Sequence, residues 1–256
     1  MAPAKHLTNI SEQQFNHFSA LIELISCDKC ILSSLCSPLI VGDTKMDIVG
    51  ALVNRHKFVK RGDFLYHEGD KFRSIIAVIQ GSVKLSIKSG HAEEQILGFQ
   101  FVGETVGLSG MHSGHYLTNA QTLENSHICE MPFDLLDKYA NLMPQLQREI
   151  GRLLSQELAC SQYHSRSLGK KTAEERLASF LLNLSSRYSQ RGYSPNRFIL
   201  AMTRNDIANY LGLTKETISR LFNKFQEQNL LLTQKKRVII NNISLLNTVA
   251  GISKNV

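Results

Sequence analysis

The sequence predicts an α+β chain: a β jelly-roll barrel, then one long helix, then a winged helix-turn-helix. Three observations predict it. Between residues 46 and 135 glycines recur at positions 62, 69, 81, 90, 98, 103, 107, 110 and 114, with short apolar runs between them, the pattern of a barrel or sandwich of short strands. A helical periodicity runs from Pro144 to about Leu168. Thr203–Phe225 reads as helix, glycine turn and helix, followed by two strand-like runs. The chain divides accordingly into a cysteine-bearing segment (1–45), the barrel (46–142), the long helix (143–168) and the winged helix-turn-helix (169–256).

The first segment is partly helical in pattern, with Phe15, Phe18, Ala20, Leu21, Ile22, Leu24 and Ile25 as its apolar contacts. It then presents Cys27, Cys30 and Cys36 as C-x2-C-x5-C, a metal-binding spacing. A fourth ligand is needed, and Cys129 or Cys160 can supply it. Four thiolates suit structural zinc or an iron–sulfur cluster, and the spacing alone leaves both open. Free buried thiols are the plain alternative, disfavoured by three cysteines lying so close together in a reducing compartment.

Within the barrel the strand-like runs are Phe64–Tyr66, Ile75–Ile79, Val83–Ile87, Gln95–Phe99 and His127–Met131. Cys129 lies in the last, where a strand holds it rigidly. Pro132 opens a helical stretch and Pro144 opens the long helix, positions that suit proline at a first helical turn. Leu146, Ile150, Leu153, Leu154 and Leu158 form a stripe on that helix, continued by Ser161 and Ser165. The stripe is a candidate dimer seam, or a face packed on the barrel. Gly169 is expected to break the helix. Thr172 caps the next one, which places Leu177, Phe180, Leu181, Leu184 and Tyr188 on one face.

Thr203 and Asp206 have capping-box spacing at the start of the helix-turn-helix. Ile207, Ala208 and Leu211 give its first helix an apolar face, and Gly212 ends it. Thr214 caps the second helix, where Ile218, Leu221, Phe222 and Phe225 form a buried stripe. The opposite side carries Glu216, Ser219 and Arg220, in the part of such a helix that enters a DNA major groove. Arg220 suits guanine O6 and N7, Glu216 suits cytosine N4, and Ser219 suits a base edge or a thymine methyl. Thr203, Thr214, Lys215 and Thr217 join them as candidate DNA contacts. Leu230–Thr233 and Arg237–Ile240 form a wing whose Lys235 and Lys236 can meet phosphate, without the usual turn glycine. Ser244–Gly251 reads as a short closing helix. A solvated helical hairpin is the bland alternative; the double capping, the glycine turn and the E-x-x-S-R grouping weigh against it.

Charge follows the same division. Residues 170–256 hold 14 Lys and Arg against 5 Asp and Glu, a net +9, while residues 1–169 hold 15 against 17, a net −2, which together give the +7 of the chain. A phosphate-facing half should be the basic one. MAPAKHLTN has no apolar core of a secretory signal, and runs such as Ile75–Ile79 are too short to cross a bilayer. A cytoplasmic location is expected, with no membrane partner and no structural disulfide.

Barrel, long helix and winged helix-turn-helix, in that order, resemble the CRP/FNR family of bacterial transcription regulators. The barrel is then of the cyclic-nucleotide-binding kind. The FNR branch, the fumarate and nitrate reduction regulators, is singled out by C27-x2-C30-x5-C36 with Cys129 in ICEMPF, by KKTAEERLASFLLNLSSRYSQRGYSP and by MTRNDIANYLGLTKETISRLFNKFQ. The resemblance implies a [4Fe–4S] cluster on Cys27, Cys30, Cys36 and Cys129. It implies an oxygen-responsive activator of anaerobic metabolism that forms a homodimer through Ile150, Leu153, Leu154, Leu158 and Ser161 while the cluster is intact. It implies an inverted repeat in double-stranded DNA with arms like TTGAT and ATCAA, and contacts to RNA polymerase near Ile87–Glu94 and Arg187–Pro195. Leu117-Thr118 stands where cyclic-nucleotide binders carry an Arg-Ser or Arg-Thr pair, so no cAMP binding is expected. Ser161 stands where FNR regulators tend to carry an acid, and Cys160 is a spare thiol.

Two other classes compete. A related regulator sensing haem-bound gas or zinc would draw on His67, His91, His112, His115 or His164; the H-x2-H of His112 and His115 reads as exposed loop. A metal-dependent jelly-roll enzyme needs two His and a carboxylate converging in the barrel. No H-x-H or H-x-D pair lies on an expected strand, and no nucleophile motif or phosphate-cradling glycine loop is present. A regulator rather than an enzyme is expected.

Overall fold

A computed structural model describes residues 56–88, 93–140 and 144–252. Cys27, Cys30 and Cys36, and the helical pattern expected of the first segment, lie outside these residues.

Eight strands form two four-stranded antiparallel sheets: β1 (His56–Val59), β2 (Phe64–Tyr66), β3 (Ser74–Gln80), β4 (Ser82–Lys88), β5 (Glu94–Phe101), β6 (Thr105–Val106), β7 (Asn119–Thr122) and β8 (Ser126–Pro132). Their orders, β1-β8-β3-β6 and β2-β7-β4-β5, are those of a jelly roll. All five expected strand runs are strands. β1, β6 and β7 were not anticipated, because β6 is two residues long and β7 reads Asn-Ala-Gln-Thr, without an apolar alternation. The interior is packed with Ile75, Val78, Val83, Ile128 and Met131. Tyr66 and Tyr116 stack inside it with ring centres 3.7 Å apart, and Phe72 meets Tyr116 edge-on.

β5 contains the expected run Gln95–Phe99, but its faces do not follow simple alternation. Gly98 lies within the strand, beside a bulge where Leu85 pairs with Gly98 but Ser86 pairs with Ile96. The extra residue resets the alternation. Ile96, Phe99 and Phe101 are all buried as a result, and all three pack with the C-terminal half rather than with the barrel interior.

Two short helices, α1 (Gly110–Ser113) and α2 (Phe133–Ala140), precede the long α3 (Pro144–Lys170). At 1.5 Å per residue α3 is about 40 Å long. It does not break at Gly169, because one helical glycine costs only about 1 kcal/mol and Arg176 caps the end. The Arg176 guanidinium donates to Leu168 O at 2.7 Å and Lys171 O at 3.0 Å. The apolar stripe divides: Leu146, Ile150 and Leu153 are buried in the barrel core, whereas Leu154 and Leu158 are 40% and 59% exposed. Thr172 caps α4 (Ala173–Ser189) with a full capping box to Glu175. Leu177, Phe180, Leu181 and Leu184 are buried along it.

Candidate nucleic-acid interface

α5 (Arg204–Leu211) starts at a capping box: Thr203 N donates to Asp206 Oδ2 at 2.8 Å and Asp206 N to Thr203 Oγ1 at 3.1 Å. It ends at Gly212, whose left-handed φ of 62° a Cβ would strain. α6 (Lys215–Glu227) follows after two residues, with Thr214 Oγ1 accepting from Thr217 N at 3.2 Å. Ile218, Leu221, Phe222 and Phe225 are buried, which fixes the roll of α6 about its axis. Glu216, Ser219 and Arg220 are thereby exposed, together with Thr203, Thr214 and Lys215, while Thr217 is half-buried. Arg220 Nη2 rests on Thr217 Oγ1 at 3.3 Å, and Ser219 Oγ donates back to Lys215 O at 2.9 Å.

The wing is a three-stranded sheet in the order β10-β11-β9, with β9 at Arg197–Ile199, β10 at Leu231–Gln234 and β11 at Arg237–Ile240. Its tip is Lys235-Lys236, both exposed, and Lys235 takes φ 55° where a glycine would be unstrained. Gln226 Oε1 ties α6 to the wing by accepting from Thr233 N at 3.0 Å and Thr233 Oγ1 at 2.8 Å. α7 (Ile243–Val249) closes the unit on a cap from Asn242.

Several supporting residues escaped the sequence reading. Lys224 pairs with Glu174, joining α6 to α4. Arg176 Nη1 donates to Leu211 O at 3.0 Å, so one guanidinium braces both α3 and the turn between α5 and α6. Arg204 lies over the Phe222 ring, 3.2 Å from its centre, and burial lowers its guanidinium to about 10. Its buried Nη1 has no hydrogen-bond partner. Only the position of Arg204 beside the Thr203 cap could have flagged it.

Of the four candidate ligand cysteines, Cys129 alone is among the described residues. It is half-buried on β8, with His56 opposite it on β1 and Ala77 on β3. Thus the first of the described strands begins at the register of Cys129. Cys160 is exposed on α3. His112 and His115 are exposed, as the H-x2-H reading expected. Leu117, in place of a phosphate-binding arginine, is 46% exposed. Of the two candidate polymerase patches, residues 89–92 lie outside the described residues; in the other, Arg187 and Arg191 pair with Glu104 of the barrel. No helix among the described residues is long and apolar enough to cross a membrane.

Comparison with known proteins agrees with this architecture. Residues 56–141 match the cyclic nucleotide-binding domain family and residues 175–249 the Crp-like helix-turn-helix domain family. The chain is 44% identical over 226 residues to the transcriptional activator protein FnrA of Stutzerimonas stutzeri, covering 88% of this chain and 93% of that protein. It is 42% identical over 232 residues to the fumarate and nitrate reduction regulatory protein of Escherichia coli, covering 91% and 93%. Among solved structures, FixK2 from Bradyrhizobium japonicum superposes with a TM-score of 0.70 at 26% identity, covering 76% of this chain and 96% of that one. These relatives are transcription regulators, not enzymes. With its barrel, its winged helix-turn-helix and this level of identity over most of its length, the chain belongs to the FNR regulators of the CRP/FNR family.

Proposed function

We propose that this DNA-binding transcription regulator is an oxygen-responsive activator of anaerobic metabolism, working in the cytoplasm as a homodimer on an inverted repeat. Residues 1–45 carry three of the cluster ligands, 46–142 form the sensor barrel, 143–168 dimerise and 169–256 bind DNA. The observation that carries the reading is the thiol set: Cys27, Cys30 and Cys36 within ten residues, and Cys129 on the strand that β1 joins. Those four would hold a [4Fe–4S] cluster, as in the regulators the chain resembles. When bound, the cluster supplies an oxygen-labile joint between a loop and a rigid sheet.

The chain's own residues do the rest. Leu154, Leu158 and Ser161 present an unburied stripe for a second copy, with Ile150 and Leu153 buried behind them as its support. Glu216, Ser219 and Arg220 read bases, while Thr203, Thr214, Lys215, Thr217, Lys235 and Lys236 meet the backbone. RNA polymerase would be met through Ile87–Glu94 and Arg187–Pro195. The aromatic filling of the barrel and Leu117-Thr118 speak against cAMP as the signal.

Iron and sulfide analysis with an absorption spectrum, on protein purified without air, tests the reading. The expected result is about four irons and four sulfides per chain and a brown colour that bleaches in air. A sharp Soret-type spectrum would replace the cluster with haem, and a colourless protein would replace it with zinc or no metal. Cys129→Ser should abolish anaerobic binding to the inverted repeat while leaving the fold intact; undiminished binding counts against the assignment.

A further inference from the structure

The barrel and the DNA-binding half meet in a charged cluster that base reading does not use. Glu104, three residues after β5, accepts from Arg187 Nε at 2.8 Å, from Arg187 Nη2 and from Arg191 Nη2. Arg187 Nη2 also donates to Phe99 O at 2.6 Å, and its guanidinium lies 4.5 Å from the Phe101 ring centre. Arg191 Nε donates to Val102 O. Burial would push the Glu104 carboxyl up, but Arg187, Arg191 and the Phe101 N–H hold it below the usual carboxylate range. On the same flank Asn209 of α5 accepts from Ile96 N at 2.7 Å and donates to Glu94 O at 2.6 Å, as a neighbouring strand would. Ile96, Phe99 and Phe101 form one continuous apolar cluster with Phe180, Ile207 and Leu211.

We propose that Glu104 is a positioning residue for DNA binding: by clamping Arg187 and Arg191 it fixes how the helix-turn-helix sits on the barrel. In a dimer this sets the separation of the two α6 helices, so the inference rests on the dimeric reading above. A two-fold site presents its half-sites about 34–36 Å apart, one helical turn of DNA. Glu216, Ser219 and Arg220 stay exposed while the domain is docked, so docking leaves the reading face free to meet DNA. A domain free to swing would have to lose that freedom twice on a full site, and only once on a half-site. Glu104 and the two arginines are 13%, 22% and 16% exposed at their side chains, shielded enough for loss of one partner to matter.

The experiment compares wild type with Glu104→Gln, which keeps the shape and removes the charge, and with Glu104→Asp, which restores it. Affinity for an inverted-repeat duplex and for a single half-site duplex is measured under anaerobic conditions, with hydrogen exchange at the Ile96 amide as a report on docking. Glu104→Gln should bind the inverted repeat about tenfold more weakly, lose only about threefold on the half-site because one domain is immobilised there instead of two, and exchange Ile96 faster. Glu104→Asp should recover most of both losses. Asn209→Ala, which leaves the ion cluster in place, should reproduce the split and guards against a Gln variant that fails to fold. Equal losses on both duplexes, or no loss on either, overturn the clamp. A wild-type chain without preference for the inverted repeat sinks the dimeric reading itself, and the spacing role with it.

Discussion

Arg220 and Lys235 carry the same charge and should fail in different ways. Arg220 sits one turn beyond Glu216 on the exposed side of α6. Arg220→Ala should cost about 1–3 kcal/mol on the preferred sequence and relax discrimination at the guanine; titration against single-base variants checks this, and an equal loss on every sequence would make it a phosphate contact. Lys235 holds a left-handed φ of 55° at the wing tip. Lys235→Gly should relieve strain worth up to about 1 kcal/mol in thermal unfolding, yet lower the salt slope of DNA binding by about 1. At this scale the sequence was most legible where partners are three or four residues apart. Thr203 with Asp206 and Thr172 with Glu175 pair as their spacing demands. The sequence shows a wing without its usual turn glycine, but only the structure shows that Lys235 takes the left-handed conformation in its place. Glu104 was not legible, because Arg187 is 83 residues away and nothing in either segment points to the other.

Among the elements, α3 divides its apolar residues between two uses. Leu153 belongs to the barrel core, and Leu158 is 59% exposed. Leu153→Ala should therefore lower unfolding stability by about 2–5 kcal/mol, as loss of a buried leucine does. Leu158→Glu should leave the monomer's stability within about 0.5 kcal/mol and shift sedimentation of the cluster-bearing protein from dimer to monomer; a dimer that persists would move the seam elsewhere. Periodicity showed that α3 has a stripe, but it could not show where the stripe changes partner, since both neighbours are apolar. β5 is the complementary case. Ile96 and Phe99 are three apart, which alternation puts on opposite faces of a strand. The bulge beside Gly98 puts both against the C-terminal half, and a bulge leaves no periodic trace.

For the molecule as a whole, the Glu104 cluster gives a pH dependence of definite sign. Its carboxyl is held below the ordinary value of 4.5 in the folded chain. The stabilisation is therefore complete above that value and is lost as pH falls through the lowered one. Docking, followed by hydrogen exchange at Ile96, should be flat across neutral pH and loosen only in acid; loosening near pH 7 would implicate another group. The order of the domains was readable because each has its own local signature, whereas their joint was not. That joint has a practical side. Phe99 meets Phe180 and Tyr210 at ring-centre distances of 6.2 and 5.3 Å, so the two halves share one oily seam instead of touching through water. A truncation at Thr172 would lay bare an aromatic strip on each fragment, and the pieces should clump. Chimaeras that exchange reading heads between regulators would have to transplant β5 along with the head.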